Sequence, residues 1–143
     1  MRAYVLKKYG GPEGSLLMDV PAPTPGPRDI LIAVRVAGLN PVDFKIRQGM
    51  LRVILRSRLP LVLGNELAGE VIAVGSQVTR FRVGDRVFAR VAKDSAGAFA
   101  EQACVDEDHA AHMPRNLDFT SAAAVPLAGL TALQALRDEL HVK

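Results

Sequence analysis

The chain has 143 residues, 49% of them hydrophobic and only 5% aromatic, which allows one domain with a mostly aliphatic core. Its 18 basic and 15 acidic residues give a formal net charge of +3, and the single cysteine, Cys104, excludes an intrachain disulfide. No apolar run approaches the roughly 20 residues of a membrane-spanning helix, and Arg2 to Leu6 reads as a strand rather than a signal peptide, so a cytoplasmic protein is expected.

In chain order, Arg2 to Lys8 and Leu16 to Val20 read as two strands joined by a turn at Gly10-Gly11-Pro12. Pro21, Pro23, Pro25 and Pro27 then alternate through a stretch that fits neither a helix nor a central strand. Ile30, Ile32, Val34 and Val36 alternate as in a strand, and Val42 to Met50 has helical spacing. Leu51 to Arg58 reads as a loop or short helix. The basic excess gathers here: Arg28, Arg35, Lys45, Arg47, Arg52, Arg56 and Arg58 face only Asp29 and Asp43. A solvated basic face or an anionic ligand would each account for this. Without interleaved aromatics or a known motif, no nucleic-acid partner is expected.

Leu61 to Gly75 is the stretch around which the chain is organised. Leu67 to Val74 reads as a buried strand interrupted by Gly69, and the glycines at 64, 69 and 75 suggest a strand that bends sharply, as in a small barrel. Gly84-Asp85 turns into a strand at Arg86 to Ala89, and Lys93 to Gly97 is a turn-rich loop. Phe99 to Val105 and His109 to Met113 read as strands, and Pro114-Arg115-Asn116 as a turn. From Asp118 two helices are expected, Phe119 to Val125 and Leu127 to Leu140, separated at Pro126. The chain thus divides into a mainly β unit over residues 1–117 and a helical arm over 118–143, which is expected to expose apolar surface.

The order Gly64-x-Glu66-x-x-Gly69, Val74-Gly75 and Val83-Gly84-Asp85-Arg86-Val87 resembles the N-terminal half of the medium-chain dehydrogenase/reductase superfamily. Val36 to Lys45, Gly97 to Glu101, Pro114 to Leu117 and Ala123 to Ala132 resemble its zinc-free quinone oxidoreductases and enone (alkenal) reductases. The resemblance implies a GroES-like, partly open β-barrel followed by a Rossmann domain that binds NADPH. No G-x-G-x-x-G occurs in the chain, so the nucleotide-binding domain is expected beyond Lys143, and these residues alone are expected to be inactive. The implied activity is NADPH-dependent reduction of a quinone or α,β-unsaturated carbonyl by a cytoplasmic enzyme that forms a homodimer when complete. Two rivals share the motifs. One is an enoyl reductase domain of a larger synthase, which a Met1 placed directly on the first strand speaks against; the other is a non-enzymatic GroES-like assembly module.

The resemblance also bears on single residues. Zinc members of the superfamily carry a cysteine and a histidine ligand where this chain has Asn40 and Asn65, and amides are poor zinc ligands, so no metal is expected. His109 and His112, three apart, would point to opposite faces of a strand. Asn40 before Pro41, with Asp43 three residues on, has the pattern of a helix N-cap and capping box. By resemblance this helix start lies beside the nicotinamide. That makes Asn40 the catalytic candidate and Asn40, Pro41, Asp43, Thr131 and Gln134 the cofactor-binding ones. Asn65 and Glu66 are candidates to line the substrate site, although Glu66 could instead form an internal ion pair with an arginine, and Thr131 could simply pack in its helix.

Overall fold

A computed structural model describes residues 1–55, 58–92 and 97–142. Most of the expected loop at 93–97 and part of the segment 51–58 lie outside the described residues. Strands β1 (Arg2–Leu6) and β2 (Ser15–Asp19) pair antiparallel, and β1 also pairs with the short β4 (Leu61–Val62). The larger sheet has five strands in the order β7-β3-β5-β6-β8, formed by β3 (Asp29–Ala37), β5 (Glu66–Val74), β6 (Arg86–Arg90), β7 (Gln102–Asp106) and β8 (Ala110–His112). A bridge between Ala3 and Ala100 joins the two sheets, and together they curl into the partly open barrel that the family resemblance implies.

The bend lies in the β3–β5 pair. Register shifts between Leu31 and Ile32 and between Val34 and Val36 leave Ile72 of β5 and Arg35 of β3 without a partner. Such bulges increase local twist, which allows a sheet to curl over its own core. Gly69 lies at one of them, and a Cβ there would be 2.7 Å from Ile32 Cγ2. Inside the curl, Ile30, Ile32, Leu67, Val71, Val87 and Val91 are almost completely buried, with Phe81 the one aromatic residue among the buried members of this core. The aliphatic core expected from the composition is therefore present.

Helix α1 (Pro41–Arg47) packs Ile46 against Leu6 and Leu63 beside the smaller sheet, and is followed by the short α2 (Arg52–Leu55). Helix α3 (Phe119–Ala123) starts at Asp118, whose carboxylate accepts from the Ser121 N–H at 2.7 Å. It buries Ala122 and Ala123 against Ala68 and Met113 on the outer face of the larger sheet. Helix α4 (Pro126–Leu133) runs on into a π-helical stretch, Gln134–Glu139. Leu130, Leu133, Leu136 and Leu140 of this arm are exposed, as the sequence suggests.

Most elements match the sequence reading to within a few residues at their ends, and four differences go further. Residues 99–101 contribute only an isolated bridge, so β7 begins at Gln102. His109 closes a 3-10 turn (Glu107–His109) instead of lying in the strand with His112, because the carboxylate of Asp106 accepts from the Asp108 N–H at 2.9 Å and starts that turn. Leu61–Val62, ahead of Gly64, forms an additional short strand, β4. The second helix of the arm changes to π-type at Gln134. Among the described residues no helix is long and apolar enough to cross a membrane.

Gly64, between β4 and β5, has φ +102°, a conformation side chains rarely adopt, and a Cβ there would be 2.5 Å from Phe99 N. Gly84 also has positive φ, at +93°, but its Cβ would meet nothing within 4 Å. Backbone strain alone costs of order 1–3 kcal/mol. Gly64→Ala is therefore expected to destabilise the fold by clearly more than Gly84→Ala, since only the former adds a backbone collision; urea denaturation of the two variants would check this.

Candidate functional site

Asn40 ends the turn after β3 in extended conformation (φ −129°, ψ 155°), as the following proline favours, and Pro41 opens α1. The expected helix start is present: the Asp43 carboxylate accepts from the Asn40 backbone N–H at 2.7 Å, and the Asp43 N–H donates to the Asn40 carbonyl at 3.0 Å. Asn65 and Glu66 enter β5 from the strained Gly64. The Val91 N–H donates to the Asn65 carbonyl at 2.9 Å, and the Phe99 N–H to the Leu63 carbonyl at 2.8 Å, which fixes this entry on both sides.

These residues meet in one hydrogen-bonded chain. Asn65 Nδ2 donates to Asp43 Oδ1 at 2.6 Å, while Asn40 Nδ2 donates to Glu66 Oε1 at 2.6 Å. The second oxygen of Glu66 accepts from the Leu127 N–H, in the first turn of α4, at 2.8 Å. Asp43, Asn65 and Glu66 are all buried, and Asn40 is half-buried. A buried carboxylate without donors is costly, and here each of the four carboxylate oxygens has one. Burial pushes the Asp43 carboxyl above its ordinary value, the Asn40 N–H and the Asn65 amide pull it back, and the nearby Glu66 carboxylate raises it further.

Among the described residues, the internal ion pair considered for Glu66 is not formed. Arg90 faces Glu66 in the β5–β6 register, but its guanidinium donates to the Val91 carbonyl at 2.8 Å, and Glu66 is satisfied by an amide and a backbone N–H. Thr131 and Gln134 lie farther along the arm and are exposed; Thr131 Oγ1 donates to the Leu127 carbonyl at 2.8 Å, the helix-packing bond of a threonine within its own helix. The basic stretch is partly neutralised, with Arg28 paired to Asp108 at 2.6 Å and Arg35 to Glu70 at 2.7 Å. Both pairs are exposed, which favours the solvated-face reading.

Two contributors escaped the sequence reading. One is the Leu127 N–H; its signal is Pro126 at the first helical position, which leaves the next N–H free for an outside acceptor. The other is Gly38, over whose Cα the Glu66 carboxylate passes so closely that a Cβ would collide with Oε1. Among the described residues, no group of three or more His, Cys, Asp and Glu side chains is placed to hold a metal ion.

A curled, partly open barrel of this topology with a C-terminal helical arm is the architecture of a GroES-like domain. The model of the alcohol dehydrogenase GroES-like domain matches residues 26–115, and the chain belongs to that family, which is the N-terminal domain of the medium-chain dehydrogenase/reductases. Over 144 residues it is 39% identical to the chloroplast envelope quinone oxidoreductase homolog of Arabidopsis thaliana, covering 100% of this chain and 44% of that protein. It is 43% identical to a quinone oxidoreductase of Pseudomonas aeruginosa over 135 residues, 94% of this chain and 40% of that one. The crystal structure of Escherichia coli quinone oxidoreductase complexed with NADPH superposes with a TM-score of 0.87 at 33% identity, over 96% of this chain and 40% of that one. The chain thus spans less than half the length of these relatives.

The raised Asp43 pKa has a definite sign for stability. The folded state holds this proton more tightly than the unfolded chain, whose value is near 3.8. The contribution is therefore full below that value and is lost as pH rises through the raised one. Asp43→Asn keeps the position neutral at every pH. Urea denaturation from about pH 3 to 7 should show the parent losing stability relative to Asp43→Asn as pH rises, with the difference levelling off above the folded-state pKa. A difference independent of pH would show that Asp43 is not perturbed.

Proposed function

We propose that this chain is the catalytic-domain portion of an NADPH-dependent oxidoreductase that reduces quinones or α,β-unsaturated carbonyls, and that the arm over 118–143 leads into its nucleotide-binding domain. The observation that carries the proposal is the held carboxamide of Asn40. An amide NH₂ has two hydrogens, and the bond to Glu66 at 2.6 Å uses one. The second remains for an oxygen in front of the site. The anchor fixes the amide nitrogen before any substrate arrives, and preorganised donors stabilise developing charge without reorganising at the moment of reaction.

Support for the cofactor and substrate comes from the relatives, named as quinone oxidoreductases, and from the NADPH in the Escherichia coli structure. The residues suit the nicotinamide end of such a cofactor: Asn40 and Pro41 at the start of α1, fixed by Asp43, and the exposed Thr131 and Gln134 on the arm. When bound, the nicotinamide supplies the hydride. The chain's own part is to hold Asn40 so that its free N–H meets the carbonyl oxygen on which charge grows, with Asn65 and Glu66 forming the wall behind. The proton that completes the reduction comes from solvent. The complete protein is proposed to be a cytoplasmic homodimer.

Zinc does not suit this donor set. The two candidate positions carry neutral amides, whose nitrogens already donate to Asp43 and Glu66. Elemental analysis of protein never exposed to chelator should give far less than one zinc per chain, and stoichiometric zinc would end the zinc-independent reading.

The test of Asn40 belongs in the complete enzyme. Loss of a helix cap costs about 1 kcal/mol, whereas loss of an oxyanion donor costs ~10²–10³ in kcat. Asn40→Ala should therefore lower kcat steeply. Asn40→Ser, whose shorter side chain cannot reach the same point, should lose at least ~10-fold in kcat, about 1.4 kcal/mol of barrier. Reduction of quinones and enones at the parent rate by both variants would remove Asn40 from the reaction.

A further inference from the structure

Glu66 is built in more tightly than a wall residue needs to be. It is 2% exposed, and its two carboxylate oxygens are taken by donors from two different helices: Asn40 Nδ2 at the start of α1 and the Leu127 N–H at the start of α4. Its carbonyl accepts from the Gly38 N–H at 3.2 Å. A Cβ on Gly38 would collide with Oε1 and lie 2.7 Å from Cδ and 2.8 Å from Cγ, so the carboxylate has no room on that side. With both oxygens engaged and one flank closed, the carboxylate cannot turn towards either donor without leaving the other.

We propose that Glu66 is a positioning residue that couples the Asn40 carboxamide to the arm, so that a change at the entry of α4 re-aims Asn40 and the reverse. Its consequence for turnover rests on the function proposed above: the arm leads towards the cofactor's domain, and Asn40 would present its free N–H only when the arm is seated. The competing role is a plain cap, in which Glu66 satisfies the first turn of α4 and Asn40 is incidental. Under that role Asn40 and Leu127 are independent.

Amide hydrogen exchange of the ¹⁵N-labelled chain distinguishes the two without substrate or cofactor. Removing the Asn40 amide releases one side of the carboxylate, so Asn40→Ala should speed exchange at Leu127 by about fivefold or more, the size of one net hydrogen bond. The Val71 N–H, which donates to the Asp85 carbonyl away from the site, should keep its rate. In a Glu66→Ala background, Asn40→Ala should add nothing at Leu127, since the link is already cut. Gly38→Ala leaves every hydrogen-bonding group in place but displaces the carboxylate; it should both speed Leu127 exchange and shift the Asn40 side-chain amide resonances. If Glu66→Ala does not fold, Asn40→Ala and Gly38→Ala still decide the matter. Unchanged Leu127 exchange in Asn40→Ala, or equal acceleration at Leu127 and Val71, would overturn the coupling. Because exchange is read without turnover, coupling without a kcat loss in Asn40→Ser would refute the catalytic reading alone.

Discussion

The requirement that a carboxylate inside the protein be met by donors organises this domain. Burying Glu66 without partners would cost several kcal/mol. The chain meets the need from two helices, each of which contributes at its first turn, where N–H groups and cap side chains lack helical partners. The same carboxylate thus satisfies itself and two helix starts. Asp43 is a second buried carboxylate held in the same manner by the Asn40 N–H and the Asn65 amide, so two acids and two amides alternate in one small volume.

Bringing these groups together depends on the path of β5. The chain approaches it through Gly64, whose positive φ turns it past Phe99, so that Asn65 and Glu66 enter the sheet beside α1. It continues through Gly69, where the bulge at Arg35 lets the sheet curl over the aliphatic core. On the outer face α3 docks through two alanines, small enough to bring the helix close to Ala68 and set where α4 begins. The site is therefore a consequence of backbone geometry in the barrel, with side chains chosen to fit it.

Much of this was legible in the sequence because it is local. Asn40-Pro41-Val42-Asp43 carries its own helix-start chemistry, and the glycine spacing from 64 to 75 announces a bent strand whatever surrounds it. Glu66 could be recognised as a carboxylate needing a partner, but the partner could not be read. The obvious choice, an arginine, has a candidate directly across the sheet in Arg90, yet that guanidinium turns to a backbone carbonyl. The actual donors, a side-chain amide and a main-chain N–H, lie far away in sequence and are brought near only by the curl of the barrel. Sequence has no marker for a backbone N–H aimed at a distant acceptor, beyond the proline that precedes it. The stretch 99–101 makes backbone bonds to Arg2, Tyr4, Val34 and Leu63 without a regular ladder, and His109 is taken into a turn by the Asp106 carboxylate, neither of which the apolar pattern could show.

Cys104 lies on β7, opposite Leu31, and is half-buried. Burial, with Asp29 nearby, pushes its thiol up to about 11. Only the thiolate reacts with alkylating reagents, so at neutral pH the reactive form is rare. Any unfastening of the β3–β7 edge would hydrate the sulfur and return it towards ordinary reactivity. The only sulfhydryl of the chain is thus a natural clock for the breathing of the sheet edge farthest from β8, readable by slow alkylation without altering a single residue.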